Sequence, residues 1–257
     1  MSKPTIVMVP GAWHKPFIYS EVAASLRNHG YPTVSLALPS AGAIPSHQDF
    51  SGDVASIRAC LTEFVSAGKE VVLVVHSYTG LPGGEAPNGL SKKDQEAKGL
   101  KGGVVRYVVI NGFAMPPGFQ AVAKGDYAKM PEWMKLDIEN EVCTVEPEDA
   151  KRIFYNDIPS EKADKLIPEL LPQSLGVYFS TTTYAAWLDI PSTFLYGEAD
   201  QNSFTPELVD MMIKGAQLMN PSAFDVVERL KGGGHCLMIG HPEWTADVLR
   251  RAAGEKF

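Results

Sequence analysis

Six short runs of apolar, largely β-branched residues recur along the chain, with segments of helical length between them. They cover residues 5–11, 33–38, 70–76, 104–110, 192–197 and 224–230. Several runs are apolar at nearly every position, which is typical of strands covered on both faces of a parallel sheet. Residues 19–30 and 50–67 lie between runs and have helical spacing. The alternation predicts right-handed crossovers and a doubly wound, mostly parallel α/β sheet.

This alternation stops between about residues 115 and 190, where no run reads convincingly as a strand. Helix start signals occur instead at Thr144 and Ser160. We predict a helical cap of about residues 115–190, inserted into a single domain of residues 1–257. Most of its large side chains are expected to form core, and some to line an apolar pocket. A loop with a short helix that starts at Ser91 and Asp94 precedes the cap.

Composition narrows the classes of function. The net charge is −7 and no long basic run occurs, which argues against nucleic acid or an anionic membrane as partner. No apolar run approaches the roughly 18 residues of a membrane helix. Three cysteines without a C-x-x-C pair support neither a disulfide framework nor a zinc site. We expect a cytoplasmic protein that acts on a small molecule without cofactor or metal, and a homodimer stays open.

Three chemically reactive residues each follow one of the predicted strands. Ser77 follows the third, Asp200 the fifth and His235 the sixth. Because functional groups gather beyond the carboxyl ends of parallel strands, these side chains should meet at one edge of the sheet. Histidine could take the serine proton, and a buried carboxylate could orient the imidazole. Glu198 competes with Asp200 for the role of the acid.

The segment around Ser77, VVHSYTG, departs from the G-x-S-x-G pattern of a nucleophile turn. Val75 and Thr79 stand where that pattern has glycines. If Ser77 occupies such a turn, both side chains must fit against small residues of the neighbouring strand and helix, with Gly80 relieving the turn. A serine buried in a regular strand would contradict this interpretation.

An acyl-transfer site also needs amides that bind a developing oxyanion. The amide of Tyr78 follows the serine, and the loop after the first strand offers the Ala12 amide, with Trp13 the weaker candidate. Gly11 lets the backbone turn there without obstruction. The triplet at 232–234 is interpreted as a mobile connection that carries His235 back over Ser77. His241 and Pro242 are expected to begin the last helix.

Six residues are candidates for contact with a substrate. For the two histidines among them, packing or backbone hydrogen bonding is an equal alternative. The candidates are Trp13, His14, His76, Trp133, Tyr155 and Tyr184.

Several segments together resemble the α/β-hydrolase superfamily, in particular the plant methylesterase and hydroxynitrile lyase type and its fungal and bacterial single-domain relatives. The segments are VPGAWH, VVHSYTGLPG, FYNDIP, TYAAW, IPSTFLYGEAD and GGGHCLMIGHPEW. The order Ser, Asp, His is also the one that α/β-hydrolases use. The resemblance implies an α/β-hydrolase fold, Ser77 as nucleophile, Asp200 as acid, His235 as base and a substrate pocket beneath the cap.

Two differences from the lyases favour an esterase. The lyases have a hydroxyl residue in the oxyanion loop and a lysine after the histidine, where this chain has Gly11 and Cys236. We therefore expect a serine hydrolase of the carboxylesterase or lactonase kind, acting through an acyl-enzyme on a small apolar or aromatic ester, lactone or thioester. Three alternatives stay open: lactone-forming acyl transfer, carbon–carbon lyase activity of the hydroxynitrile-lyase type, and ligand binding on a hydrolase scaffold.

Overall fold

The computed structural model describes residues 3–202 and 204–257, and a six-stranded parallel sheet lies at its centre. Each of the six predicted runs contains one strand, so the sheet prediction is confirmed. The strands are ordered β2-β1-β3-β4-β8-β9, and all five neighbouring pairs are parallel. They are β1 (Thr5–Val9), β2 (Thr33–Ser35), β3 (Glu70–His76), β4 (Gly103–Ile110), β8 (Ser192–Gly197) and β9 (Val226–Leu230). Strands β5–β7 lie in the insertion described below.

Helices cover the sheet. The elements outside the insertion are α1 (Ser20–Asn28), α2 (Ser51–Ser66), α3 (Pro82–Glu85), α4 (Lys92–Ala97), α7 (Pro206–Met219), α8 (Leu237–Gly240) and α9 (Pro242–Ala252). Helix α1 packs against α9, and α2 packs against α3. Ser91 caps α4 as predicted, because its Oγ accepts a hydrogen bond of 3.0 Å from the Asp94 amide. Helix α9 begins at Pro242 after His241, also as predicted.

The insertion between β4 and β8 contains the expected helices, but it also contains strands, so the expectation that no strand occurs in this interval was wrong. Its helices are α5 (Pro147–Phe154) and α6 (Ser160–Leu166). Its strands are β5 (Met134–Asp137), β6 (Val142–Val145) and β7 (Gln173–Ser174), which form an antiparallel sheet. These strands have two to four residues and two of them are half exposed, so they leave no apolar run in the sequence. Thr144 accordingly lies in β6 rather than at a helix start.

The core is centred on β3, whose residues from Val71 to His76 are completely buried. Placement of a strand between two others and beneath helices explains its uninterrupted apolar sequence. Among the described residues, no helix combines the length and apolarity required to cross a membrane. The three cysteines are free thiols.

Candidate active site

Ser77 lies at a sharp turn directly after β3, outside the regular strand. Its φ is +56°, in the left-handed region, and residues 77–80 form a single 3₁₀ turn. For a residue other than glycine this backbone costs about 1–3 kcal/mol, and such strained residues cluster at functional sites. The turn therefore has the conformation of a nucleophile elbow although its sequence lacks both glycines.

The two side chains that replace the glycines are accommodated in different ways, Val75 opposite a glycine and Thr79 through hydrogen bonds within the turn. A Cβ on Gly83 of α3 would overlap Cγ1 of Val75. The Thr79 hydroxyl accepts from the His76 amide at 2.9 Å and lies 2.8 Å from the His76 carbonyl oxygen, so it is satisfied within the turn. A Cβ on Gly80 would overlap the backbone of Phe113. Gly80 was expected to relieve the turn, but the structure shows that it is needed for close packing against another backbone segment.

His235 and Asp200 form a buried pair beside this turn. His235 Nδ1 donates to Asp200 Oδ2 over 2.8 Å, and both side chains are at most 1 % exposed. Glu198 is exposed and forms no hydrogen bond with the histidine. The geometry therefore selects Asp200 over Glu198 as the partner of His235. With its proton on Nδ1, the imidazole presents the Nε2 lone pair as a base.

The side-chain amide of Asn202 forms a hydrogen bond to that lone pair. Its Nδ2 lies 3.0 Å from His235 Nε2, and its backbone amide donates to Asp200 Oδ1 over 2.5 Å. Ser77 forms no side-chain hydrogen bond with His235 or with any other described residue. Nothing in the sequence had singled out Asn202. For His235 to accept a proton from Ser77, the Asn202 side chain has to release Nε2.

Two of the three glycines before His235, namely Gly233 and Gly234, are buried and tightly packed, in contrast to the expected mobile connection. The carbonyl oxygens of Gly234 and His235 accept hydrogen bonds of 2.8 and 2.9 Å from Asn111 Nδ2. Asn111 Oδ1 accepts from the Gly197 amide at 3.0 Å, which ties the acid loop to the histidine loop. A Cβ on Gly197 would overlap the backbone of Gly233. Close packing explains these two glycines, whereas the first glycine of the triplet is exposed and has a left-handed φ of +77°.

The loop after β1 lies against Ser77. A Cβ on Gly11 would be 2.9 Å from Ser77 Cβ, so only glycine allows this approach. The Trp13 amide is already used, because it donates to Gln173 Oε1 at 3.2 Å. The amides of Ala12 and Tyr78 have no acceptor among the described residues. The arrangement therefore favours Ala12 over Trp13 as the second oxyanion donor, beside Tyr78.

Two further histidines lie behind the pair and are neutral. His14 Nδ1 donates to the Ala12 carbonyl oxygen (2.8 Å), and Nε2 accepts from the Tyr155 hydroxyl (3.0 Å). Burial lowers the pKa of His14 to about 4, although the Ala12 hydrogen bond opposes this shift. His76 Nε2 donates to the His235 carbonyl oxygen at 3.1 Å, and burial together with His235 lowers the pKa of His76 well below its usual value. Both side chains support the loops around the site.

Ser77 opens into a cavity of about 230 Å³ between the sheet and the insertion. Most of its lining is apolar or aromatic. The described lining residues are Trp13, Ser77, Tyr78, Phe113, Phe119, Ala121, Val122, Lys129, Met130, Pro131, Trp133, Met134, Tyr178, Asn202, Phe204 and Leu208. Lys129 is the charged residue among them, and its side chain is 71 % exposed and paired with Asp126 at 2.7 Å.

Only two of the six expected contact residues line this cavity, namely Trp13 and Trp133. The expectation is corrected for the other four, which the structure places elsewhere. His14, His76 and Tyr155 are buried behind the site, and the Tyr184 hydroxyl donates to Asp189 Oδ2 at 2.9 Å, away from the lining. No group of three or more His, Cys, Asp or Glu side chains among the described residues could hold a metal ion.

Comparison with known proteins agrees with this geometry. The model of the alpha/beta hydrolase family matches residues 6–248. The chain belongs to this family. It is 33% identical over 255 residues to the alpha/beta hydrolase nvfD of Aspergillus novofumigatus, a match that covers 99% of this chain and 98% of that protein.

The chain is also similar to a second fungal protein and to the structure of a plant protein. The chain is 29% identical over 265 residues to the probable hydrolase R7 of a Phoma species, covering 99% of this chain and 100% of the other. A methylesterase from Arabidopsis superimposes with a TM-score of 0.72 at 18% identity, covering 98% of this chain and 99% of the other. The expected fold and superfamily are therefore confirmed.

Proposed function

We propose that this alpha/beta hydrolase is a serine-dependent acyl hydrolase of the carboxylesterase or lactonase kind. One observation carries the proposal. Ser77 sits at a strained left-handed turn that opens into an apolar cavity, and Asn202 of the same lining holds the buried pair of His235 and Asp200. A serine nucleophile, a base of the correct tautomer and two free amides are the parts that acyl transfer requires.

The proposed reaction has two halves. In the first, the Asn202 side chain releases His235 Nε2, which takes the Ser77 proton as Oγ attacks the substrate carbonyl carbon. The amides of Ala12 and Tyr78 stabilise the oxyanion, and the protonated His235 then donates its proton to the departing alcohol or thiol. In the second half His235 activates water, which attacks the acyl-enzyme and releases the acid with Ser77 restored.

The cavity supports a compact, apolar acyl group as substrate. Its volume of about 230 Å³ lies below the roughly 300–1,000 Å³ that is usual for ligand sites, and aromatic rings provide much of its wall. Trp13 and Trp133 pack edge to face with their ring centroids 5.6 Å apart. Such a wall favours an aromatic or polyketide-like ester over a long flexible chain. A hydroxyl group of the same substrate could replace water, and the product would then be a lactone.

A fluorophosphonate probe tests the covalent mechanism directly. We expect labelling of Ser77 in the wild-type protein, mapped by mass spectrometry, and none in Ser77→Ala. Asp200→Asn should lower the labelling rate by about three to four orders of magnitude, because the amide favours the wrong imidazole tautomer. Glu198→Gln is the matched control and should stay within about twofold of wild type.

Two outcomes would replace this proposal. Wild-type protein that resists labelling yet binds apolar esters with unchanged affinity after Ser77→Ala would be a ligand-binding protein. Release of an aldehyde or ketone without an acid product would identify a lyase. The lyase has less support, because the residue after His235 is Cys236, a buried thiol 3.8 Å from His14 rather than a cation facing the cavity.

A further inference from the structure

Trp13 is held by the insertion at every polar atom it has. Its amide donates to Gln173 Oε1 at 3.2 Å, and its carbonyl oxygen accepts from the Leu171 amide at 2.8 Å. Its indole Nε1 donates to the Cys143 carbonyl oxygen at 3.1 Å. The three partners all belong to the insertion, whereas Trp13 follows β1 of the main sheet. The loop of residues 10–15 after β1, called the oxyanion loop below, is therefore joined to the insertion as well as to the sheet.

The peptide that links Ala12 to Trp13 is fixed on both of its sides. Its carbonyl oxygen accepts from His14 Nδ1 at 2.8 Å, and its N–H donates to Gln173. Trp13 itself has a φ of +65°, which a side chain tolerates only where its surroundings determine the backbone. These two hydrogen bonds supply that constraint. They also leave the preceding amide, that of Ala12, free to face a substrate.

A buried carboxylate sets the orientation of the Gln173 amide. Because Asp53 can only accept, the Ser40 hydroxyl, 2.6 Å from Asp53 Oδ2, has to donate to it. The Ser40 oxygen is then an acceptor for Gln173 Nε2 at 2.7 Å, which leaves Gln173 Oε1 for the Trp13 amide. The Tyr78 hydroxyl also donates to Asp53 Oδ2 at 2.6 Å. Asp53, Ser40 and Gln173 are all completely buried.

We propose that Gln173 is a positioning residue of the oxyanion hole, and that the chain from Asp53 through Ser40 to Gln173 holds its two sides together. This inference rests on the proposed acyl-transfer function. One side is the Ala12–Trp13 peptide, fixed by Gln173, and the other is Tyr78, fixed through its hydroxyl. Gln173 touches no reacting atom, so it acts through the amide of Ala12.

The test compares Gln173→Met with Ser174→Ala. Methionine keeps the length of the glutamine and removes its hydrogen bonds. Ser174 is the next residue of β7, is equally buried, and donates to the carbonyl oxygen of the same Ser40 at 2.8 Å, but it has no hydrogen bond to the oxyanion loop. Both variants perturb the same strand, but only Gln173→Met removes the hydrogen bond to the Trp13 amide.

Two measurements distinguish a positioning role of Gln173 from a merely structural one. The first is hydrolysis of the p-nitrophenyl ester that wild type cleaves fastest, in a panel from acetate to octanoate and benzoate. The second is inhibition by a trifluoromethyl ketone with the same acyl chain, whose tetrahedral adduct carries the oxyanion. For Gln173→Met we expect kcat to fall at least tenfold with KM within twofold, and ketone affinity to fall by a similar factor as kcat. Ser174→Ala should stay within threefold of wild type on all three measures.

A Gln173→Met protein that loses its circular dichroism spectrum would be replaced by Ser40→Ala, which leaves Gln173 in place and removes its link to Asp53. The same split between kcat and KM is expected, at about threefold or more. Equal kinetics for the Gln173 or Ser40 variant and Ser174→Ala, with normal labelling of wild-type Ser77, would overturn the inference alone. Wild-type protein without labelling at Ser77 would overturn the proposed function and this inference with it.

Discussion

Asn202 donates its side-chain amide to His235 Nε2 over 3.0 Å, at the atom that accepts the serine proton in the proposed reaction. We predict that Asn202→Ala reacts with a fluorophosphonate about three- to fivefold faster than wild type. The hydrogen bond that must break before Nε2 becomes a base is worth roughly 1 kcal/mol, and alanine removes it. Alanine also keeps the backbone amide that donates to Asp200.

The measurement is the second-order rate constant of labelling at pH 7.5, with Gln201→Ala as control. Gln201 is the exposed neighbour, and among the described residues its side chain donates to the Ala199 carbonyl oxygen alone. A slower reaction of the Asn202 variant would show that this amide assists the base rather than occupying it.

Val75 and Gly83 are predicted to be energetically coupled. Gly83→Ala places a methyl group against Cγ1 of Val75 and should destabilise the protein by about 1–3 kcal/mol through overpacking. In the Val75→Ala background the same substitution has room, so its cost should fall by at least about 1 kcal/mol. Urea unfolding of the four proteins measures the coupling.

Gly215→Ala is the matched control for this cycle. Gly215 lies inside α7, and apart from the helix's own backbone no atom of the described residues lies within 4 Å of an added Cβ, so alanine should stabilise by about 0.5–1 kcal/mol. Additive effects of the Val75 and Gly83 substitutions would mean that the turn does not depend on this contact.

Protonation of His14 is predicted to weaken the fold in mild acid. Burial lowers its folded pKa to about 4 from 6.5, so the unfolded chain binds more protons between these values. The stabilisation is present above pH 6.5 and is lost as the pH falls towards 4, up to about 3 kcal/mol. The free energy of unfolding should therefore drop between pH 7.5 and pH 5, and His14→Asn, which cannot titrate, should show a shallower slope.

His29→Asn provides the comparison, since His29 is exposed. Parallel pH dependences for His14→Asn and wild type would contradict the prediction. His76 is buried in the same way and lies 6.2 Å from His14 between ring centroids, so the double variant His14→Asn with His76→Asn should be flatter still.

The positions of Ser77, Asp200 and His235 could be predicted because each residue follows a strand of the parallel sheet. An apolar run identifies the strand, and parallel strands bring their carboxyl ends to one edge whatever their loops contain. The choice between Asp200 and Glu198 was harder, because both follow β8 within three residues. The structure decides between them because Asp200 is buried against His235 whereas Glu198 is exposed. This difference between two residues of one loop depends on how the loop packs, which the sequence does not show.

The amide groups of Asn202, Gln173 and Asn111 could not be predicted. An asparagine or glutamine has no chemical signature in a sequence, and its role is set by which donors and acceptors the fold brings to it. The antiparallel sheet of the insertion was missed for a related reason, because strands of two to four residues carry too few positions to show a period. Aromatic side chains of the insertion line the cavity, but the sequence does not show which of them do so, and Tyr155 and Tyr184 pack elsewhere. His14 and His76 flank the site in the sequence, and the structure shows for both the backbone hydrogen bonds that were the equal alternative.

The attachment of Trp13 to the insertion affects how the enzyme can be redesigned. An exchange of the cap for that of a relative, designed to change which substrate is bound, would assume that the reaction centre belongs to the sheet alone. In this protein a transplanted cap would also have to supply the carbonyl group of residue 143, the amide group of residue 171 and the glutamine at 173. Under the proposed function, exchange of the cap would therefore change substrate selectivity and reaction rate together, and a chimera should have its junctions outside residues 143, 171 and 173.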